Sequence, residues 1–259
     1  MQKISDMQQK IYFASDFHLG IPDYDQSLKR EKKLVAWLEM ARVDAGEIFL
    51  MGDLFDFWFE YKKVVPRGYT RLLGKLSEIT DAGIPVHLFR GNHDMWAFGY
   101  LTSELNIQLH REPEFREFGG KNFYLAHGDG LGPGDHGYKL IKKIFACRFN
   151  QWLFRWLHPD FGIGMALFWS RKSRKAALEK EKKEDERNKR LIQERITIHS
   201  RELLRSHPEL DFLIYGHYHF PLDEQLTGKA RQIVLGDWIT HFTYGVFDGE
   251  KLELKAFGD

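Results

Sequence analysis

Five short apolar runs in this chain each end in a cluster of carboxylate, imidazole or amide side chains. The clusters are Asp16-Phe17-His18, Gly52-Asp53-Leu54-Phe55-Asp56, Gly91-Asn92-His93-Asp94, His127-Gly128-Asp129 and Gly216-His217-Tyr218-His219. Each apolar run has the length and composition of a buried β-strand. Because the carboxyl ends of strands in an open α/β sheet line one edge, clusters that are distant in sequence converge there. The pattern therefore predicts one site assembled from five loops.

The spacing of apolar residues predicts the scaffold that carries these loops. In the first half, strand-like runs at 11–15, 47–51 and 85–89 alternate with helical spacing at 28–42 and 67–82, and Gly83 is suited to end the second helix. Strands separated by helices indicate βαβ units and a sheet with a parallel portion.

The second half is richer in strands. Runs at 122–126, 212–215, 231–235, 241–247 and 251–257 have strand character, and Asp248-Gly249 predicts a hairpin turn between the last two. Residues 138–206 are mostly helical and break the α/β rhythm. We therefore expect a core formed by residues 1–137 and 207–259, with a helical cap inserted at 138–206.

Charge is distributed unevenly along the chain, although the formal net charge is only +1. Between Tyr138 and Arg195 there are 16 Lys/Arg and 7 Asp/Glu, whereas the remainder carries 22 basic and 30 acidic residues. A basic insert on an acidic body indicates an anionic partner. The alternative is a solvated helix face on which both charge signs alternate, as they do between Glu179 and Arg195.

Three further features predict a cytoplasmic location. A single cysteine, Cys147, excludes an intramolecular disulfide. Residues 1–10 are polar and lack the apolar core of a signal peptide. No apolar run is long enough to span a bilayer.

The residue types in the five clusters suit two-metal chemistry. Imidazole, carboxylate and amide ligands together fit Mn²⁺, Fe or Zn²⁺, and the absence of thiolates disfavours a structural zinc site. Asp16 and His18 are separated by one residue, as are His217 and His219, so each pair lies on one side of an extended backbone. Any one of these motifs alone is weak, but all five in this order are specific.

The five clusters together resemble the signature of the calcineurin-like metallophosphoesterases, over roughly the whole chain outside the helical insert. The resemblance implies two packed sheets flanked by helices, in four αββα layers, with a helical cap. It also implies two divalent metal ions. One would be held by Asp16, His18, Asp53 and His219, and the other by Asp53, Asn92, His127 and His217, with Asp53 bridging both.

The same resemblance implies hydrolysis of a phosphoester. Two cations neutralise charge on the phosphoryl group and activate a water for in-line attack. His93 resembles the histidine of the superfamily that stabilises phosphoryl charge or protonates the leaving group, and Asp56 would orient it. The alternative is that His93 only hydrogen-bonds within its loop. Asp94 and Asp129 are weaker candidates, expected to support their loops.

Further motifs are similar to the UDP-2,3-diacylglucosamine pyrophosphatases of lipid A synthesis. They are Ser15-Asp16-Phe17-His18-Leu19-Gly20, Gly52-Asp53-Leu54-Phe55-Asp56-Phe57-Trp58, Asp135-His136-Gly137-Tyr138 and Leu235-Gly236-Asp237-Trp238. This family uses Mn²⁺ to cleave UDP-2,3-diacylglucosamine into 2,3-diacylglucosamine 1-phosphate (lipid X) and UMP, at the inner face of the cytoplasmic membrane. The resemblance implies that substrate is contacted by Asn92, Asp135, Lys172, Ser173, Lys175 and His217.

The composition of the predicted cap bears on which phosphoester is the substrate. Its aromatic-rich stretch at 149–169 is followed by Arg171-Lys172-Ser173-Arg174-Lys175, a combination that suits acyl chains beside anionic headgroups. An ordinary helix pair packed on the body, with its basic residues in water, fits equally well. His93 also departs from the best-known subgroup of the family, which has arginine at that position.

Two rival functions follow from these features. A phosphoesterase acting on another nucleotide, nucleic acid, phosphoprotein or lipid would share the metal site, although the aromatic residues favour lipid and no nucleic-acid partner is expected. A binding scaffold would have lost ligands, yet every ligand position is filled. Oligomeric state has no signature in the sequence.

Overall fold

The computed structural model of the protein describes residues 9–134, 136–170 and 186–258. Within these ranges the chain forms eleven strands and seven helices. The strands are β1 (Lys10–Ala14), β2 (Ala45–Leu50), β3 (Val86–Phe89), β4 (Gln108–His110), β5 (Glu114–Phe118), β6 (Lys121–Ala126), β7 (Phe212–Tyr215), β8 (Pro221–Gln225), β9 (Arg231–Leu235), β10 (Thr243–Phe247) and β11 (Leu252–Ala256). The helices are α1 (Tyr24–Ala41), α2 (Thr70–Asp81), α3 (Tyr100–Leu105), α4 (His136–Ala146), α5 (Arg148–Arg155), α6 (159–170) and α7 (Glu186–Ser206).

The strands form two sheets. The first has the order β11-β10-β1-β2-β3-β4, and the second has the order β5-β6-β7-β9-β8. Strands β1 to β4 are parallel, as are β6, β7 and β9, whereas β10 and β11 pair antiparallel across the Asp248-Gly249 turn. The predicted parallel portion and the final hairpin are therefore confirmed.

The alternation of side chains along each strand builds the four predicted layers. On β1, Tyr12 and Ala14 belong to a core shared with α1, α2 and α3, while Ile11 and Phe13 belong to a second core between the two sheets. A third core lies between the outer face of the second sheet and α7. Three separate cores between four layers confirm the αββα sandwich.

The cap helices lie against the edge of the sandwich near the end of β3. The indole of Trp96 donates a hydrogen bond to the carbonyl of Phe145 at 2.9 Å, and the Phe154 ring packs on Phe59 at 4.7 Å between ring centroids. Helix α7 makes a different contact, since its Ile196 and Ser200 are buried against the second sheet. The C-terminal half of α7 packs on the second sheet as a layer of the sandwich, although it falls within the predicted cap. The division into core and cap at 138–206 stays a prediction.

No helix in the described ranges combines the length and the apolar character required to cross a lipid bilayer.

Candidate metal centre

The five sequence clusters follow β1, β2, β3, β6 and β7, and main-chain hydrogen bonds join their loops directly. The Asp16 amide donates to the Gly52 carbonyl at 3.1 Å, and the Gly216 amide donates to the His127 carbonyl at 2.8 Å. The first bond links the loops after β1 and β2 in one sheet. The second links the loops after β6 and β7 in the other sheet. Both lie just beyond the carboxyl ends of the strands. Close approach here needs glycine, because a Cβ on Gly91 would lie 2.0 Å from Asp53 Oδ1.

The backbone is left-handed at five of the predicted ligands. Asp16, His18, Asp53, His217 and His219 have φ between 44° and 68°, and they account for five of the eight described non-glycine residues with positive φ. Left-handed backbone is uncommon for such residues, and strained conformations of this kind concentrate at functional sites. The loops therefore hold a costly conformation at the positions from which these side chains converge.

One group of donor atoms consists of Asp16 Oδ1, His18 Nε2 and His219 Nε2. His18 Nε2 lies 3.2 Å from His219 Nε2 and 3.7 Å from Asp16 Oδ1, and His219 Nε2 lies 3.5 Å from the same oxygen. Asp16 Oδ1 is buried without a hydrogen-bond partner among the described residues. Two donors that each lie about 2.1 Å from a cation are themselves about 3.0–3.4 Å apart. The three distances lie within or just above this range, so a slight inward movement of the side chains would let the three atoms share a cation.

A second group consists of Asp53, His127, His217 and Asn92. Asp53, His127 and His217 offer ligand atoms within 4.8 Å of one another. Asn92 Oδ1 lies 3.4 Å from His127 Nε2. Asp53 Oδ2 lies 3.5 Å from His127 Nε2 and also 3.5 Å from His18 Nε2 of the first group. The geometry thus brings together all seven predicted ligands, with Asp53 between the two groups as expected for a bridging carboxylate.

The far ring nitrogens of three of the four ligand histidines also have partners. His127 Nδ1 lies 2.8 Å from the Met51 carbonyl and donates to it, His219 Nδ1 lies 3.3 Å from Asp237 Oδ2, and His18 Nδ1 lies 3.4 Å from Asp56 Oδ1. Acceptors at Nδ1 fix the ring orientation and leave the lone pair of Nε2 for a cation. The supporting role of Asp237 was not predicted, although Asp237 follows β9 at the same sheet edge.

Burial and mutual charge set the protonation of the centre. Burial alone would raise the pKa of Asp16 and of Asp56, but neighbouring histidines, His18 above all, outweigh it and lower both to about 2. Burial lowers the pKa of His217 to about 4, which leaves a neutral imidazole. Burial opposes the charge on His127 as well, yet Asp53 raises its pKa to about 10. The centre is thus rich in negative charge and attracts cations.

The two predicted catalytic residues lie beside the first group. His93 Nδ1 donates to the main-chain carbonyl of Asp56 at 2.8 Å, and the Asp56 carboxylate lies 3.6 Å from the same nitrogen. The His93 ring packs edge-on against His18, with ring centroids 4.8 Å apart. Asp56 therefore faces both histidines, and its main chain makes the shorter contact to His93.

Asp94 and Asp129 support their loops. The fully buried Asp94 carboxylate accepts the amides of Gly91 at 2.7 Å and Leu54 at 2.8 Å, which ties the β3 loop to the β2 loop. Asp129 pairs with Lys142 at 2.6 Å on α4.

The remaining predicted substrate residues, Asp135, Lys172, Ser173 and Lys175, lie outside the described residues. Asn92 and His217, also predicted to contact substrate, are members of the second ligand group. Ser170 on α6, which was not predicted, donates a hydrogen bond to Asp56 Oδ2 at 2.5 Å.

A two-sheet sandwich with this ligand arrangement at one edge defines a metallophosphoesterase. Residues 9–221 match the calcineurin-like phosphoesterase family, and the chain belongs to it. It is a metal-dependent hydrolase with a site for divalent cations.

Named relatives extend this comparison. The chain is 39% identical over 267 residues to a UDP-2,3-diacylglucosamine hydrolase of Porphyromonas gingivalis, covering 98% of this chain and 99% of that protein. It is 23% identical over 255 residues to the protein of the same name from Vibrio atlanticus, covering 95% and 96%. Among solved structures, the phosphoesterase Yfce from E. coli matches with a TM-score of 0.45 and 17% identity, covering 96% of this chain and 93% of that one.

Proposed function

We propose that this protein hydrolyses the pyrophosphate bond of UDP-2,3-diacylglucosamine and releases UMP and lipid X. The observation that carries the proposal is a complete ligand set under a cap with a large exposed apolar surface. The full-length similarity to the Porphyromonas gingivalis hydrolase supports the same substrate.

The metal ions are proposed to be Mn²⁺, held by Asp16, His18, Asp53 and His219 on one side and by Asp53, Asn92, His127 and His217 on the other. When bound, they would supply positive charge against the phosphoryl oxygens and activation of a water. The carboxylate and imidazole donors, without thiolate, suit Mn²⁺, and they also accommodate Fe or Zn²⁺.

His93 and Asp56 are proposed to act on the reacting phosphate. With its Nδ1 proton engaged by the Asp56 carbonyl, His93 in its protonated, imidazolium form would donate the Nε2 proton in a hydrogen bond to a phosphoryl oxygen or deliver that proton to the leaving phosphate. The Asp56 carboxylate stabilises positive charge on His93 and orients His18 at the same time. Asn92 and His217 would contact the phosphate from the second ligand group.

The cap supplies the surface proposed for the acyl chains. Twelve of the nineteen exposed large hydrophobic residues of the described chain lie between residues 140 and 169, including Trp156 at 75% exposure and Trp169 at 70%. Exposed apolar patches of this size mark interaction sites. Two acyl chains require such a surface, whereas a water-soluble phosphodiester does not.

The same surface, next to a basic segment, suits peripheral binding at the inner face of the cytoplasmic membrane. In the sequence, only Ser170 separates the exposed Phe168 and Trp169 from Arg171-Lys172-Ser173-Arg174-Lys175. Aromatic and basic residues side by side favour the boundary between headgroups and acyl chains. We propose that the protein meets its acylated substrate there.

The decisive experiment is hydrolysis of UDP-2,3-diacylglucosamine with Mn²⁺, measured as UMP release, with bis-p-nitrophenyl phosphate as a generic diester. We expect release of UMP by the wild type and its loss in Asp53→Ala. Asp81→Asn removes an exposed carboxylate at the end of α2 and serves as the matched control. Turnover of the generic diester without UMP release would reject the lipid substrate.

A further inference from the structure

A cleft lies between the core and the cap, and His127 is the one member of the second ligand group that lines it. Its inner part, about 390 Å³, is bounded by His127, Arg90 and Arg111, and its outer part, about 500 Å³, shares Arg90 and Arg111 and adds Arg148 and Arg155. Both volumes lie within the range of small-molecule sites, about 300–1,000 Å³. We call this space, lined by Arg90, Arg111, Arg148 and Arg155, the arginine cleft.

Three of the four arginine side chains, those of Arg90, Arg111 and Arg155, are held in place by main-chain oxygens or an aromatic ring. Arg90 Nη1 donates to the Met95 carbonyl at 2.8 Å, and Arg111 Nη2 donates to the Phe98 carbonyl at 3.3 Å. The guanidinium of Arg155 lies over the Phe98 ring, 5.6 Å from its centroid. These contacts position positive charge without neutralising it.

The carboxylates of Asp94, Glu112 and Glu60 act on Arg90 from a distance, but the four guanidinium groups are not directly paired within the described chain. None of them forms an ion pair within 4.0 Å to a described carboxylate, and Nε of Arg90 and of Arg155 is buried without a hydrogen-bond partner there. Burial and the nearby Arg111 lower the pKa of Arg90. Like charges gathered in one cleft, with buried donors unused, are costly unless an anion binds.

The carboxylates of the cleft lie in its inner part. Asp129 is ion-paired with Lys142, and Glu112 is exposed. In the outer part, helix α5 presents Arg148, Gln151 and Arg155 on one face, at the three- and four-residue spacing that aligns helical side chains. A bidentate guanidinium is the preferred partner of a phosphate.

We propose that the arginine cleft binds the second phosphate of a diphosphate diester, the one that does not sit at the metal centre. The inference rests on the proposed function and explains why the enzyme would prefer a diphosphate substrate. A simple phosphodiester occupies the metal centre but leaves the arginines without a partner. A diphosphate satisfies both, so the cleft selects diphosphates over simple diesters.

The test compares UDP with UMP as inhibitors of bis-p-nitrophenyl phosphate hydrolysis by the metal-loaded enzyme, because these nucleotides differ by one phosphate. In the wild type we expect the inhibition constant of UDP to be lower than that of UMP by about tenfold to a hundredfold, the range of charge-assisted hydrogen bonds. The double variant Arg111→Gln/Arg148→Gln should bring the ratio close to one and leave UMP unchanged. Both residues are exposed, so the fold should tolerate the change.

Two further variants complete the design. Lys32→Gln/Lys251→Gln removes two exposed charges far from the cleft and should keep the wild-type ratio. Arg111→Lys/Arg148→Lys keeps the charge without the planar fork and should restore part of the ratio. Equal inhibition by UDP and UMP in the wild type, or an equal weakening of both in the glutamine variant, would overturn the proposal. Because the readout uses a generic diester, it remains valid even if the lipid substrate is not cleaved.

Discussion

Ser170, the last described residue of cap helix α6, donates a 2.5 Å hydrogen bond to the carboxylate of Asp56 in the metal centre. The other carboxylate oxygen of Asp56 lies 3.4 Å from His18 Nδ1 and 3.6 Å from His93 Nδ1. One side chain of the cap therefore contacts the group that orients a ligand and a predicted catalytic histidine. The position of the cap and the geometry of the centre are therefore linked through this contact.

Ser170→Ala should lower kcat on UDP-2,3-diacylglucosamine by about tenfold, because a hydrogen bond to a charged group contributes about 1.5–3 kcal/mol when buried and less in a partly exposed position. Thermal stability should change little, since Ser170 lies outside the three cores. Steady-state kinetics and thermal unfolding measure both. Ser103→Ala, on the exposed face of α3, is the matched control. An unchanged kcat in Ser170→Ala would show that this hydrogen bond from the cap does not contribute to catalysis.

Asp53 and His93 should respond differently to substitution. Asp53→Ala removes the oxygen that lies 3.5 Å from a histidine of each group, so we expect loss of bound metal and of activity together. His93→Ala should keep most of the metal and lose about a hundredfold or more in kcat, the scale of acid–base catalysis. Metal content by mass spectrometry and kcat measured on the same samples separate the two roles. Equal loss of metal in both variants would make His93 a ligand.

Asp237 should contribute to metal affinity without touching the metal. Its carboxylate lies 3.3 Å from His219 Nδ1 and accepts the Thr240 amide at 2.8 Å. Because removal of such a partner costs about tenfold to a hundredfold in affinity, Asp237→Ala should bind Mn²⁺ that much more weakly and recover activity at high Mn²⁺. Activity titrated against free Mn²⁺ checks this. A variant with wild-type affinity would show that the His219 ring is held by its loop alone.

The order of the principal strands and helices could be predicted from the sequence because those elements are buried. Strand β7 is apolar at every position, and its predicted bounds match the structure. Strands β4, β5 and β8 were not predicted, because most of their residues are partly or fully exposed and the strands are ordered by pairing with a neighbour. Helix α1 begins four residues before its predicted start, since Asp23 caps it through the Gln26 amide at 2.9 Å.

The ligands were predictable for a related reason. A metal site requires particular side chains at strand ends, and both conditions can be read along the chain. Asp237 also follows a predicted strand, but the sequence does not show that its carboxylate contacts His219 rather than a metal ion. Ser170 carries no such signal, and its contact with the centre arises only when the cap packs against it. The arginine cleft is likewise formed by residues from three separate segments, brought together by the docking of the cap.

The pH dependence of stability should report on a histidine pair inside the sandwich. His110 Nε2 lies 2.9 Å from His87 Nδ1, and Glu114 contacts the other nitrogen of His110. Burial outweighs Glu114 and lowers the pKa of His110 below 6.5. The unfolded state then binds more protons between the two pKa values, so the free energy of unfolding should fall as pH drops below about 6.5.

Denaturant unfolding of the wild type and of His110→Gln at pH 7.5 and pH 5.5 isolates this contribution. We expect the wild type to lose more stability than the variant over that interval, because glutamine does not titrate. His241→Gln, at an exposed position, should behave as the wild type. If the wild type and His110→Gln lose the same free energy of unfolding over this interval, the pKa of His110 is the same in the folded and unfolded states. In that case Glu114 would offset the whole cost of burying the charged imidazole.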